Sequence, residues 1–313
     1  MENILSCISN VVIFIFLVVP GWIARRRNII TSQQIDGLSS ILVNFLWPAM
    51  VIDIMSSVQV SDELIHMAIY VGLTCAVVYL LCCGIAFFYL RLRKTSKTIF
   101  GILAFSIVFG NTGFIGIPFI QEVLGKEAGF AASIVEVVND LLIYTLGILL
   151  IQYGRNSDKK IDRKALASPG FLSVINGLAI FILDIPLPDC LGKALGYMGN
   201  ATTAMAMFLV GAQLGEMKLE QILKKKYLCE ITVLKMLLIP AALITLLALF
   251  FPGNSLANHV LAIMFCMPCA SCQAVFARQY QLDYKSATAY VMTTTVFLVV
   301  SLPIWSVVTN MVF

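Results

Sequence analysis

Two groups of residues in this 313-residue chain carry chemistry that their apolar surroundings should disfavour. The first is Glu136, Asn139 and Asp140, inside the apolar run 129–152. The carboxylates are at i and i+4, so a helix places both on one face. Ionisable groups within such a run are costly and by default mark a proton or cation path, or else pair with a base from another helix. The lone base within such a run is Lys235, which could equally attract an anion or reach a polar surface by snorkelling. The second group is FGNTGFIGIPFI, Phe109 to Ile120, in the middle of the apolar run from Thr98 to Glu122. Gly110, Asn111, Gly113, Gly116 and Pro118 are residue types that interrupt helices.

The elements that must hold these groups follow from composition. The chain is 60% hydrophobic and 12% charged, with a mean hydropathy of +0.93. Soluble domains carry about twice that share of charge. Ten apolar windows appear, at 5–24, 38–57, 64–90, 98–122, 129–152, 168–184, 193–215, 227–250, 257–279 and 287–310. An all-α protein with ten spans in a lipid bilayer is expected. The stretch IPLPDCLGKALG (185–196) reads as a turn followed by an interfacial piece.

Charge sets the orientation. Loops after windows 1, 3, 5, 7 and 9 hold 18 of the 21 Lys and Arg residues; the even loops hold Lys126 and Lys193, and Lys235 lies within a window. By the positive-inside rule both termini lie outside, in a multi-pass protein of the cell membrane. Arg25, Arg26 and Arg27 follow the first window, the reverse of a secretory signal. The net charge of +4 is therefore topological, and no nucleic-acid partner is expected.

The basic stretch 152–167 divides the chain into a first five-span half, 1–152, a linker, 153–167, and a second half, 168–313. Five is odd, so the second half enters the membrane inverted. Span nine carries CMPCASCQA (266–274) where span four carries GNTGFIGIP, each with a proline among small residues. Paired interrupted spans point to a central binding site, because unpaired backbone at membrane depth must face protein or a water-filled cavity. Half-helix N-termini there suit an anion. The expected substrate contacts are Asn111, Thr112, Gly113, Gly116 and Pro118 from the first break, with Pro268, Ser271 and Gln273 from the second. Pro118 is expected at the start of the second half-helix, and Pro20, Pro48, Pro240 and Pro303 as simple kinks. Glu136, Asn139 and Asp140 are the expected coupling-ion residues, for a proton or sodium.

Other chemistries lack their residues. There is no G-x-x-x-x-G-K-[ST] and no strand-borne G-x-G-x-x-G, so neither ATP nor a dinucleotide cofactor is expected. The two carboxylates share one helix and both histidines lie near span ends, which argues against an intramembrane protease or other enzyme. Cys266, Cys269 and Cys272 have metal-like spacing but no nearby His or carboxylate, and read as small packing residues.

The stretch GNTGFIGIPF resembles the fourth-span signature of the auxin efflux carrier family, which includes plant PIN-type carriers and bacterial permeases. NDLLIYTLGILL (139–150), MAMFLVGAQL (205–214), PCASCQAVFARQYQLD (268–283) and TTTVFLVVSLP (293–303) resemble its later spans. The resemblance implies a fold similar to bile-acid/sodium symporters, with spans 1, 2, 6 and 7 as scaffold and 3–5 and 8–10 as a transport domain with crossed broken helices. It also implies secondary transport of a small organic anion, and a homodimer. The sequence departs from the plant carriers in its short linker and in Gln273, where they have a proline. A channel or ligand-sensing receptor on the same fold is the alternative.

Overall fold

The computed structural model describes residues 2–58, 61–151, 153, 169–216, 220, 224–252 and 255–313. The expected linker, apart from Tyr153, lies outside them. Regular structure among the described residues is helical, with one isolated β-bridge.

Twelve helices position the site. They are α1 (Glu2–Arg26), α2 (Ser32–Ser56), α3 (Asp62–Leu92), α4 (Lys97–Val108), α5 (Thr112–Leu124) and α6 (Lys126–Ile151) in the first half. The second half has α7 (Pro169–Ile182), α8 (Asp189–Glu216), α9 (Leu228–Phe250), α10 (Ser255–Phe265), α11 (Cys272–Gln279) and α12 (Tyr284–Val312). By length and composition α2, α3, α6, α9 and α12 are long and apolar enough to cross a membrane. The windows 98–122 and 257–279 are each split, into α4 and α5 and into α10 and α11.

Local sequence explains the ends. Thr31 and Gln34 form a capping box on α2, and the Ser61 hydroxyl accepts from Leu64 N–H at 3.2 Å on α3. Residues 189–196, expected as a separate interfacial piece, are the first turns of the 28-residue α8. The Pro188 carbonyl accepts from Gly192 N–H at 3.0 Å where the helix begins, and nothing after Asp189 breaks it.

Pro20 and Pro303 lie inside the α-helices α1 and α12, while three other prolines follow a wider turn. Pro48, Pro118 and Pro240 each follow a π-helical turn, at Leu42–Leu46, Thr112–Gly116 and Leu234–Leu238, that ends two residues before the proline. A proline deletes one backbone donor and crowds the preceding turn, and the wider π turn accommodates both. Pro118 is the second residue of the α-helical part of α5, Ile117–Leu124, behind the π turn Thr112–Gly116 that opens the half-helix.

Packing forms two groups. Helix α1 runs along α8, and α2 packs on α7 and α8. Gly21 meets the Phe208 carbonyl and Gly211 the Val18 carbonyl, so the α1 and α8 backbones touch. In the other group α3 packs on α4, α6 and α10, and α12 packs on α9, α10 and α11. The buried Tyr79 ring of α3 packs on Phe109 (centroids 5.8 Å apart) and on Phe265 (4.7 Å), one residue at each break.

Candidate functional site

The two breaks satisfy each other's backbone. Gly110 and Cys269 form an antiparallel bridge. Asn111 N–H donates to Pro268 O at 2.7 Å, and Ala270 N–H to Phe109 O at 3.2 Å. Phe109 is extended (φ −88°, ψ 135°) and Asn111 follows at φ −83°, ψ 62°, which turns the chain out of α4 and into α5. The Asn111 side chain, 4% exposed, spans the same junction by donating from Nδ2 to Ser271 Oγ at 2.9 Å. Cys269 N–H donates to Thr294 Oγ1 of α12 at 3.1 Å. Helix interruption deep in the molecule is thus affordable because strand-like pairing replaces the lost helical bonds.

The N-terminal end of α5 faces the acid of α6. The Thr112 hydroxyl donates to Glu136 Oε2 in a short hydrogen bond, and Asn139 Nδ2 donates to the same oxygen at 3.3 Å. Gly113 has no side chain, and a Cβ there would overlap Glu136 Oε1. The first N–H groups of a helix lack intrahelical acceptors and carry partial positive charge, which complements a carboxylate. Two buried polar atoms beside Glu136 have no partner: Asn139 Oδ1 and Trp47 Nε1. Trp47 belongs to α2 in the other packing group, and its Nε1 would be 3.3 Å from a Cβ on Gly113. A buried donor left unpaired in this way is where a ligand or water belongs.

Several expected residues take other positions. Gln273 is fully buried and points into α4, donating to Ser106 Oγ at 2.6 Å and Ile102 O at 3.3 Å. Gly116 makes room for α10, since a Cβ there would be 2.7 Å from Met264 Sδ. Asp140 forms no ion pair with a described residue, and Lys235 does not pair with either carboxylate of α6. Nor does Lys235 snorkel: it is 1% exposed and donates to Val108 O at 3.0 Å. Cys266 and Cys269 do not converge as ligands; their thiols donate to Ala262 O and Ser106 O. Trp47, Ser106 and Thr294 were not singled out by sequence, because nothing in their local spacing marks them.

A cavity of about 470 Å³ lies where α1, α2, α5, α6 and α8 meet. Pro118, Gln121, Asp53, Lys126, Asn200 and Thr203 line it. It reaches α5 at Pro118, between the two packing groups, at the end of the molecule that carries Lys126.

The sequence profile of a family described as membrane transport proteins matches residues 6–306. The chain belongs to this auxin efflux carrier-like family of transporters. Among its relatives, an uncharacterised transporter of Methanothermobacter thermautotrophicus is 24% identical over 302 residues, covering 96% of this chain and 97% of the relative. A Rhizobium meliloti protein provisionally named a malonate transporter is 22% identical over 291 residues, 90% of this chain and 89% of its own. A mouse lysosomal cholesterol signaling protein is 25% identical over 306 residues, 89% of this chain and 35% of that longer protein. Family membership and the long apolar helices make this a multi-pass membrane protein, and the family's activity is transport.

Proposed function

We propose that this protein is a secondary carrier of a small organic anion, with the paired breaks as its substrate site. The observation that carries the reading is the junction itself. A half-helix N-terminus, the bridging Asn111 and the unpartnered Trp47 Nε1–H lie close together, and a cavity between the two packing groups reaches the same helix at Pro118. The chain crosses the membrane ten times with both termini outside, as two inverted five-span halves. Helices α1, α2, α7 and α8 are the scaffold, and the remainder is the transport domain that moves against them.

In this reading a carboxylate reaches the break past Pro118 and is held by Asn111, Ser271 and the first N–H groups of α5. Thr112 and Gly113 position that helix end, and the carbonyl of Pro268 fixes its register. Glu136 and Asn139 form the coupling site, with Asp140 one turn further along α6. Glu136 already faces the α5 N-terminus. A substrate anion therefore binds best when the Glu136 carboxyl is protonated, since two anions would otherwise share one helix end. That makes the coupled ion a proton. A malonate-type dicarboxylate is the first substrate to try, given the name of the Rhizobium relative.

The test is uptake into proteoliposomes with an imposed pH gradient. The parent should accumulate labelled malonate about tenfold per pH unit for each coupled proton. Glu136→Gln should exchange substrate across the membrane but not accumulate it. Equal accumulation by the parent, Glu136→Gln and Asp140→Asn would remove the coupling site from α6. Flux through all three without concentration would favour a channel. The resemblance to a signaling protein supports a second reading, a ligand-sensing receptor, which binding without flux would favour.

A further inference from the structure

Lys235 is the charged side chain that the transport reading above does not use. It lies in the π-helical turn Leu234–Leu238 of α9 and is 1% exposed. Its Nζ donates to Val108 O, the last residue of α4, at 3.0 Å, and would be 3.5 Å from a Cβ on Gly110. It makes no ion pair among the described residues.

An ammonium buried without an anion needs a compensating field, and the C-terminal end of a helix supplies one. The last carbonyls of α4 have no intrahelical donors and carry partial negative charge. Phe105 O is taken by Phe109 N–H, Ser106 O by the Cys269 thiol and Val108 O by Lys235. Half-helix C-terminal carbonyls and unwound backbone are also what hold a free coupling cation in carriers with broken helices. The Tyr79 ring lies against both breaks, on Phe109 and on Phe265, whereas among the described residues a base reaches only the end of α4. One cation position, at one of the two breaks, is filled from within the chain.

We propose that the Lys235 ammonium is a tethered cation in the place a coupling sodium ion would occupy at the C-terminal end of α4, which makes this carrier independent of sodium there. The inference rests on the carrier reading for its meaning, but its test does not require the substrate. A tethered charge cannot diffuse away, so it ties α9 to the end of α4 throughout the cycle. It also leaves the proton on Glu136 as the ion that comes and goes.

The experiment compares thermal unfolding of the purified full chain in sodium chloride and in choline chloride at equal ionic strength, together with binding of radiolabelled sodium. The parent should unfold at the same temperature in both salts and bind no sodium saturably. Lys235→Ala should unfold several degrees lower in choline. Sodium or methylammonium should restore its midpoint saturably, because either ion binds only the folded site. Lys235→Arg should remain indifferent to sodium. Should Lys235→Ala fail to fold, Lys235→Gln, which keeps the length and one donor, carries the same comparison. Saturable sodium binding by the parent would overturn the proposal while leaving a carrier with a free coupling cation. Neutral variants that fold but respond to neither sodium nor methylammonium would overturn it as well. Failure of the carrier reading would instead appear as absent flux in proteoliposomes.

Discussion

Gly113→Ala adds a single methyl group at the most crowded point of the site. A Cβ there overlaps Glu136 Oε1, lies 3.0 Å from Glu136 Cδ and is 3.3 Å from Trp47 Nε1. The indole closes one side, so the carboxyl must rotate away from α5 and give up the Thr112 hydroxyl. A hydrogen bond to an ionised group contributes about 1.5–3 kcal/mol, and pushing a side chain off its rotamer costs about 0.5–1.5 kcal/mol. The expected loss of stability is therefore about 2–4.5 kcal/mol. In a Glu136→Ala background the space is vacated, and the same substitution should be neutral or stabilising by up to about 1 kcal/mol, the helix preference for Ala over Gly. Equilibrium unfolding of the four proteins in detergent measures the difference as a double-mutant cycle. A penalty of equal size in both backgrounds would refute the assignment of Gly113 as the seat of the Glu136 carboxyl. So would a Gly113→Ala protein within about 0.5 kcal/mol of the parent, the usual scatter of independent sites.

Three further outcomes are expected. Asn111→Ala removes the Nδ2–Ser271 bond but not the backbone bridge, so the protein should fold while malonate binding weakens about tenfold to more than a hundredfold. Calorimetric titration would settle it, and unchanged affinity would limit Asn111 to joining the breaks. Gly21→Leu drives a side chain into the Phe208 carbonyl and should separate α1 from α8, visible as loss of the monodisperse folded protein on size exclusion; a folded, active variant would show that this close approach is dispensable. Single cysteines at positions 91–97 should resist membrane-impermeant reagents in intact cells while a cysteine at position 66 labels, and the reverse pattern would invert the topology.

Sequence alone located the long apolar helices and the two that are interrupted. Long apolar windows need no partner to announce themselves, and Gly110, Asn111 and Gly113 loosen a helix through their own backbone preferences. The carboxylates of α6 were legible for a similar reason, since i and i+4 share a face in any helix. What each of these groups touches was settled by tertiary structure. Asn111 finds Ser271 from 160 residues away, and Thr112 finds Glu136 from 24. Gln273 looks like a companion of Ser271 in sequence, yet α11 turns its amide onto Ser106 of α4. Pro48 and Pro240 read as kinks, but whether a helix bends or widens into a π turn depends on the helices packed around it. Lys235 was the plainest lone charge in the sequence, and its partner could not be read there. Val108 O is an ordinary peptide carbonyl until the break at Phe109 leaves it at a helix end, and only the packing of α9 against α4 brings an ammonium to it.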